Sequence, residues 1–268
     1  MNKTALVVPC YDEARRLDQE AFSAAVVEKK NLHILFVNDG SRDETSKILR
    51  DLCARYPAQL SLLDLKTNTG KAEAVRRGVL LASKNNHTYI GYWDADLATP
   101  LSAVAAFEKT LDDNPHINLV MGARVKLLGR RIDRRGIRHY AGRVFATFAS
   151  AAIGLAVYDT QCGAKLFRWT ENVEAIFSRP FHVNWTFDVE ILARLKMLHQ
   201  LNGGPSVEDS TIEYPLEQWV DVAGSKVRVI DFVIGAWEIT KIFGILHAPG
   251  FENRAKELTR SRKSDLGR

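Results

Sequence analysis

The first 125 residues alternate between short runs rich in β-branched residues and longer segments whose apolar residues have helical spacing. The short runs predict five strands, at residues 4–8, 33–38, 60–65, 89–93 and 118–122. The longer segments predict four helices, at residues 17–29, 43–55, 71–83 and 101–112. Strands and helices in regular alternation form βαβ units, which place successive strands in parallel. The sequence therefore predicts an α/β fold with a doubly wound, mostly parallel sheet.

A cluster of polar residues follows each predicted strand. The clusters are P-C-Y-D-E (9–13), N-D-G-S (38–41), N-T-G-K (68–71), D-A-D (94–96) and Arg124. The carboxyl ends of parallel strands share one edge of the sheet, and ligands bind in the crevice at that edge. We therefore expect all five clusters to converge on one functional site.

Asp94 and Asp96 come directly after an apolar strand. Two carboxylates at this spacing can share one divalent cation, and Mg²⁺ or Mn²⁺ prefers oxygen ligands together with a substrate diphosphate. The alternative is a structural turn or helix cap ahead of Pro100, because Asp favours such positions. The location at the shared edge favours the metal site.

Other residues at this edge suit a nucleotide and its phosphates. Asp39 can accept hydrogen bonds from a base or ribose, and Gly40 allows a close turn of the backbone. Gly70 and Lys71 open a predicted helix and can direct a cation and amide groups toward phosphate. The sequence has neither the glycines of a P-loop nor a G-x-G-x-x-G motif, so an ATP or nicotinamide cradle is poorly supported.

The formal net charge of +5 is unevenly distributed. Residues 124–143 contain eight basic and one acidic side chain, a net +7, and residues 254–268 contain six basic and two acidic ones, a net +4. Subtracting +7 and +4 from +5 leaves the rest of the chain at −6. Basic segments of this kind favour a phosphate-bearing partner: nucleic acid, an anionic membrane or a phosphorylated substrate.

Three cysteines, far apart in the chain, form neither a disulfide framework nor a cluster of metal ligands. The apolar run at residues 5–9 is too short for a signal peptide, and no run reaches the length of a spanning helix. These features predict a cytoplasmic protein.

Taken in order, the strand-end clusters resemble the family 2 glycosyltransferases of GT-A fold. Further motifs resemble the polyprenyl-phosphate glycosyltransferases, with the dolichyl-phosphate β-glucosyltransferase branch matching best: D-T-Q-C-G-A-K-L-F (159–167), W-T-F-D-V-E (185–190) and G-S-K (224–226). The resemblance covers roughly residues 4–230. It implies a GT-A, Rossmann-like sheet, a nucleotide-sugar donor, a divalent metal (Mg²⁺ or Mn²⁺) and inversion at the anomeric carbon.

The resemblance also assigns roles to individual residues. The residues expected to bind the nucleotide sugar are Pro9, Tyr11, Glu13, Asp39, Lys71 and Asp94. The residues expected to meet the acceptor are Arg124, Arg134, Gln161 and Lys226. Asp94 and Asp96 are expected to hold the metal, and the expected catalytic residues are Asp96, Arg124 and Asp188.

The acceptor decides whether a general base is needed. A phosphate monoester is already an anion at neutral pH and needs none, whereas a hydroxyl must lose its proton to a carboxylate within hydrogen-bond reach. Asp188 and Asp159 are the candidates for that base. Asp188 can equally be a positioning residue, because residues 185–192 read as the start of an amphipathic helix with a capping acid.

Two apolar segments, residues 140–157 and 229–246, predict helices that are either buried or lie in a membrane interface. The second carries a narrow polar stripe formed by Asp231, Gly235, Glu238 and Lys241. The basic segment 124–140 contains no aromatic platform before Tyr140, so nucleic-acid binding is disfavoured. A basic segment that leads into an apolar one suits anionic headgroups and a lipid phosphate.

Together these features predict a catalytic domain over residues 1–227, an amphipathic, membrane-associated helix over 228–250 and a basic tail over 251–268. The predicted activity is transfer of a hexose, preferably glucose from UDP-glucose, to a polyprenyl phosphate, with the protein peripheral on the cytoplasmic membrane face. The alternatives are a GDP-mannose donor, a hydroxyl acceptor, a non-catalytic nucleotide-sugar binding protein and a basic nucleic-acid binder.

Overall fold

The protein is described by a computed structural model over residues 2–133, 136–222, 229–247 and 256–258. The strands are β1 (Thr4–Cys10), β2 (Leu32–Asp39), β3 (Leu60–Leu65), β4 (Tyr89–Trp93), β5 (Leu119–Ala123), β6 (Arg131–Asp133), β7 (Ala164–Arg168), β8 (Thr211–Pro215) and β9 (Gln218–Val220). The helices are α1 (Gln19–Glu28), α2 (Thr45–Arg55), α3 (Lys71–Ala82), α4 (Ala103–Asp113), α5 (Gly136–Ile153), α6 (Glu171–Ser178), α7 (Phe187–Asn202), α8 (Val207–Ser210) and α9 (Val229–His247).

Seven strands form one sheet in the order β3-β2-β1-β4-β7-β5-β8. All pairings are parallel except those of β7, which runs antiparallel between β4 and β5. The predicted doubly wound, mostly parallel sheet is therefore confirmed, and the five strands and four helices predicted in the first 125 residues lie within two residues of their expected bounds. The antiparallel strand β7 was not predicted.

Helices cover both faces of the sheet, and a separate apolar core lies between each face and its helices. One core lies under α1, α2 and α4, and the other under α3, α5, α6, α7 and α9. Strands β4 and β5 are buried along their whole length, which explains why they read as continuous apolar runs rather than as alternating ones. This two-sided burial leaves the carboxyl edge of the sheet as the place where polar side chains collect.

Helix α9 packs on α5 and α7, and the centre of its polar stripe faces the protein rather than water. Glu238 is only 7% exposed, beside the buried Ile242. On the opposite side, Val233, Trp237 and Phe243 are 62%, 64% and 49% exposed. The helix thus has one packed face and one exposed apolar face, and the packed face lies on helices rather than directly on the sheet.

Within the described residues, no helix combines the length and the apolar character needed to cross a membrane. Of the predicted basic tail, residues 256–258 are described. They pack on the end of α6: Leu258 is buried, and the carbonyls of Glu257 and Leu258 accept hydrogen bonds from Arg179 Nε and Ser178 Oγ, both at 3.1 Å. The division of the chain at residues 227 and 250 stays a prediction.

Candidate active site

The loops that follow β1 and β2 are tied to each other at the carboxyl edge of the sheet. The Asp12 N–H donates to Ser41 Oγ (3.0 Å), and the Arg42 N–H donates to Asp12 Oδ1 (2.8 Å). The Glu13 N–H donates to Thr45 Oγ1 (2.8 Å). These reciprocal bonds make the first two strand-end clusters one surface, as the convergence of the strand ends requires.

Pro9, Tyr11 and Glu13 lie at the end of β1 and in the loop after it. Pro9 and Tyr11 are half-buried. Glu13 is buried, and its carboxylate accepts hydrogen bonds from the Arg16 guanidinium at 2.9 and 2.6 Å. Their contact with a nucleoside stays a prediction.

Asp39 joins the second strand-end cluster to the third. Its Oδ1 accepts hydrogen bonds from the N–H and Oγ1 of Thr69 (2.7 and 2.8 Å), and its Oδ2 accepts one from the Gly70 N–H (2.8 Å). The carboxylate is buried and serves to hold the loop before α3. A base or ribose in the expected position would therefore have to donate to Asp39 oxygens that already accept three hydrogen bonds.

Lys71 joins the third cluster to the fourth. Its Nζ lies 2.6 Å from Asp94 Oδ1, and both side chains are partly exposed. Burial alone would lower the pKa of Lys71, but the negative charges of Asp94, Asp188 and Asp96 outweigh it and raise this pKa above its ordinary value. The site therefore presents a permanent cation beside the paired carboxylates.

Asp94 and Asp96 lie together at the end of β4. Burial and the negative charge of Asp94 both raise the pKa of Asp96 above its ordinary value. The Asp94 N–H donates to the carbonyl of Gly163 (2.9 Å), and a Cβ at position 163 would overlap the Asp94 carboxylate. Residue 163 must therefore be glycine for Asp94 to occupy this position.

Arg124, the fifth cluster, is engaged in a bidentate pair. Its Nε and Nη2 donate to Asp159 at 2.6 and 2.7 Å, its backbone N–H donates to Asp159 Oδ2 (3.1 Å), and its guanidinium lies over the Trp219 ring. Burial alone would lower the pKa of Arg124, but the Asp159 carboxylate raises it. The guanidinium is thus a fixed charge, held at the edge by Asp159, which the sequence analysis considered as a candidate base.

Asp188 is placed beneath the edge rather than on it. Its Oδ1 accepts hydrogen bonds from Lys165 Nζ (2.5 Å) and from the Tyr92 hydroxyl, and all three side chains are buried. Lys165 also donates to the carbonyls of Thr160 and Cys162 (2.9 and 2.8 Å). This arrangement corresponds to the positioning role considered for Asp188, and nothing in it resembles an exposed base.

The remaining expected acceptor residues are only partly described. In the loop before β7, Thr160 Oγ1 and Gln161 Nε2 are buried and have no hydrogen-bond partner in the part of the chain that the structure describes. Gln161 therefore has an amide donor to offer, next to the Arg124–Asp159 pair. Arg134 and Lys226 lie outside the described residues.

Comparison with known proteins identifies the family. The sequence profile described as "Glycosyl transferase family 2" matches residues 5–170, which include β1 to β5, the carboxylate pair and β7. The chain belongs to this family. It is a glycosyltransferase.

Curated relatives assign the branch. A dolichyl-phosphate β-glucosyltransferase of Trichomonas vaginalis is 30% identical over 254 residues, covering 89% of this chain and 70% of that protein. A human protein of the same name is 30% identical over 258 residues, covering 88% of this chain and 77% of its own length. This family 2 glycosyltransferase therefore belongs with that branch.

Solved structures confirm the GT-A fold. Glucosyl-3-phosphoglycerate synthase from Mycobacterium tuberculosis, solved with UDP, superposes with a TM-score of 0.60 at 14% identity. The match covers 91% of this chain and 79% of that chain. At this identity the likeness concerns the fold alone.

The carboxylate pair of this glycosyltransferase fits a divalent ion held jointly with a substrate. Within the described residues, no three His, Cys, Asp or Glu side chains are grouped so that they could hold a metal ion by themselves. Asp94 and Asp96 supply two hard oxygen ligands, and Mg²⁺ commonly completes such a set with water and substrate phosphates. The crowding that raises the pKa of Asp96 is the kind that a bound cation relieves.

Three residues of this region were not singled out by the sequence analysis. Lys165 is the buried cation that pairs with Asp188; its sequence signal is a lysine between the apolar residues Ala164 and Leu166. Tyr92 is the second partner of Asp188. Asn184 lies against Gly70, and no motif in the sequence marks it.

Proposed function

We propose that this glycosyltransferase transfers a hexose, glucose from UDP-glucose, to a polyprenyl phosphate of the dolichyl type, using Mg²⁺ or Mn²⁺ and inverting the anomeric carbon. The observation that carries the proposal is the grouping of Lys71 and Arg124 around the Asp94–Asp96 pair at one edge of the sheet. The names of the curated relatives support this acceptor and sugar. The M. tuberculosis synthase, solved with Mn²⁺ and UDP-glucose, supports the donor and metal class.

In the proposed reaction an oxygen of the acceptor phosphate attacks the anomeric carbon, and the bond from that carbon to the donor diphosphate breaks. The electron pair and negative charge pass to the leaving UDP. In this proposal Lys71, which lies beside Asp94, neutralises that charge where it develops. A divalent ion held by Asp94 and Asp96 would supply further electrostatic stabilisation of the diphosphate.

The state of the carboxylates favours a phosphate acceptor over a hydroxyl. A hydroxyl acceptor needs a carboxylate base, and the two candidates, Asp159 and Asp188, are buried and bound to Arg124 and Lys165 respectively. A phosphate monoester needs no base, and Arg124 is a suitable cation to bind it. The engaged carboxylates therefore support a phosphate acceptor.

The thiol of the described site, Cys162, is not available as a nucleophile for a covalent glycosyl intermediate. Cys162 is fully buried, and burial raises its pKa to about 11, so it is not a thiolate at neutral pH. A direct attack by the acceptor inverts the anomeric configuration.

We further propose that the enzyme is peripheral on the cytoplasmic face of an anionic membrane, with α9 and the neighbouring α5 in contact with the lipid. Val233, Trp237 and Phe243 of α9 and Phe148 of α5 are exposed apolar side chains. Large exposed apolar patches mark protein or membrane contacts. The net +7 of residues 124–143, which include the start of α5, favours anionic lipid as the occupant.

The activity is tested with the full chain, Mn²⁺ and polyprenyl phosphate in vesicles, against UDP-glucose, GDP-mannose and other nucleotide sugars, with the product lipid identified by mass spectrometry. We expect a glucosyl lipid from UDP-glucose and a loss of at least about 100-fold in rate for Asp96→Asn, the size typical of a lost transition-state contact. A mannosyl lipid would overturn the donor assignment. Binding of the nucleotide sugar without product would make the protein a non-catalytic binder.

Membrane association is tested by sedimentation with vesicles of phosphatidylserine and phosphatidylcholine. We expect Val233→Asp to reduce sedimentation, whereas the matched control Val27→Asp, on α1 across the sheet, should sediment like the wild type. The two valines are 62% and 52% exposed. Equal sedimentation of both variants would overturn the assignment of α9, and tight RNA binding without vesicle binding would favour a nucleic-acid partner.

A further inference from the structure

Glu238 of α9 reaches the residues that immediately precede α7. Its Oε1 accepts hydrogen bonds from the backbone N–H groups of Asn184 (3.0 Å) and Trp185 (3.3 Å). Its Oε2 accepts from the N–H of Trp185 (3.0 Å) and from the N–H and Oγ1 of Thr186 (2.8 and 2.9 Å). A carboxylate here satisfies donors that have no partner within α7, so it caps α7 from another helix.

The segment before these residues is held by a second buried carboxylate. Glu190 of α7 accepts hydrogen bonds from the backbone N–H groups of His182 (2.8 Å) and Val183 (3.1 Å). The guanidinium of Arg194 pairs with Glu190 and donates to three carbonyls at the end of α6 and just after it, those of residues 176, 179 and 180. The backbone of residues 182–186 is therefore held from both sides by buried charges.

Asn184 is the residue that this backbone presents to the site. Its side chain is exposed, and no hydrogen bond joins its amide to the part of the chain that the structure describes. The amide lies directly against Gly70, where a Cβ would overlap it. Gly70 precedes Lys71, the cation paired with Asp94, so the Asn184 amide borders the proposed donor site.

We propose that Asn184 contacts the diphosphate–sugar part of the donor, and that Glu238 is the positioning residue that holds it there. The proposal rests on the proposed donor class. A side-chain amide offers two N–H donors and an acceptor oxygen without charge, which suits a phosphate oxygen or a sugar hydroxyl. Since the side chain has no hydrogen-bond partner of its own among the described residues, its position depends on the backbone that Glu238 holds.

The test is calorimetric titration of the full chain, with Mn²⁺, by UMP, UDP and UDP-glucose. We expect Asn184→Ala to weaken UDP-glucose binding about tenfold, the loss typical of one hydrogen bond, with an unchanged melting temperature because the side chain is exposed. A tenfold loss for UDP as well assigns the contact to the diphosphate, and a loss for UDP-glucose alone assigns it to the sugar. UMP binding should not change.

Glu238→Gln should weaken UDP-glucose binding by a similar factor and also lower the melting temperature. If Glu238 acts through Asn184, the double variant binds no more weakly than Glu238→Gln. The matched control is Glu108→Gln, another buried carboxylate, which pairs with Thr4 and Lys29 far from the site. It should lower the melting temperature without changing nucleotide affinity.

Unchanged UDP-glucose affinity in Asn184→Ala would overturn the inference while leaving the proposed function intact. If the double variant loses UDP-glucose affinity by the product of the two single factors, the positioning role of Glu238 is overturned. Failure of the wild type to bind any uridine nucleotide would overturn the proposed donor together with this inference.

Discussion

Lys165 is the side chain whose replacement tests most directly how the site is held together. It is fully buried in β7, where its Nζ donates to Asp188 Oδ1 (2.5 Å) and to the carbonyls of Thr160 (2.9 Å) and Cys162 (2.8 Å). It therefore joins the Asp188 cluster to the loop whose Asp159 pairs with Arg124. Lys165→Met keeps most of the side-chain volume and removes the charge.

The expected cost follows from these contacts. Removing one partner of a buried ion pair costs about 3–5 kcal/mol, and each of the two carbonyls loses a hydrogen bond worth about 1 kcal/mol. Since the carbonyls can relax toward other donors, we expect a loss near 4 kcal/mol in the free energy of unfolding. For a chain of this length that corresponds to roughly 10 °C in melting temperature.

The assay is urea unfolding followed by circular dichroism, together with transferase activity below the unfolding transition. Lys109→Met is the matched control, because Lys109 also pairs with a carboxylate (Asp113, 2.7 Å) but is exposed. It should change neither stability nor activity, whereas Lys165→Met should reduce both. Equal urea midpoints for the two variants would refute the reasoning.

A double variant separates the charge from the packing. Lys165→Met leaves Asp188 as a buried carboxylate whose remaining hydrogen-bond donor among the described residues is the Tyr92 hydroxyl. Adding Asp188→Asn removes the uncompensated charge, so the double variant should regain about 2 kcal/mol relative to Lys165→Met. Losses that simply add would mean that the pair does not interact.

Gly163→Ala should reduce transferase activity about 100-fold, because the added Cβ would displace the Asp94 carboxylate; Gly244→Ala, in open space on α9, should leave activity unchanged. His33 and His87 contact each other at 3.2 Å, and burial lowers the pKa of both. A histidine whose pKa is lowered in the folded state binds its proton more readily when unfolded, so its stabilisation is lost as pH falls below about 6.5. Urea midpoints should therefore fall between pH 7 and pH 5 by more in the wild type than in His33→Gln; parallel pH profiles would contradict this.

The local pattern was sufficient to predict the parallel part of the sheet. Each strand from β1 to β5 is a short apolar run next to a helical segment, and both signals lie within a few residues of each other. Strand β7 differs, because its place between β4 and β5 depends on pairings such as Gly91 with Leu166, across more than 70 residues. No local pattern carries that information.

The sequence predicted which residues collect at the carboxyl edge, but not how each is engaged. Asp39 and Asp188 have the residue type of ligand-binding groups, and both are buried with protein donors on their carboxylates. Burial is a tertiary property, and a carboxylate held by Thr69 or Lys165 reads the same in the sequence as one that faces a substrate. The order of motifs locates the site, and the hydrogen-bond partners distinguish the supporting carboxylates from the exposed ones.

The polar stripe of α9 is a further case in which the hydrogen-bond partners of a residue, rather than its type, decide which way the side chain faces. A stripe on a broadly apolar helix faces water when the helix packs by its apolar side, but here Glu238 faces inward because residues 184–186 present N–H groups that need an acceptor. The consequence is that apolar side chains such as Val233 remain exposed, an arrangement that is costly in water and favourable against lipid. Helix α9 would then have two roles that can be tested separately: holding the backbone of residues 184–186 and contacting lipid. Val233→Asp should weaken vesicle binding and leave UDP-glucose affinity unchanged, whereas Glu238→Gln should do the reverse; a variant that changes both would mean that docking and donor binding are coupled through α9.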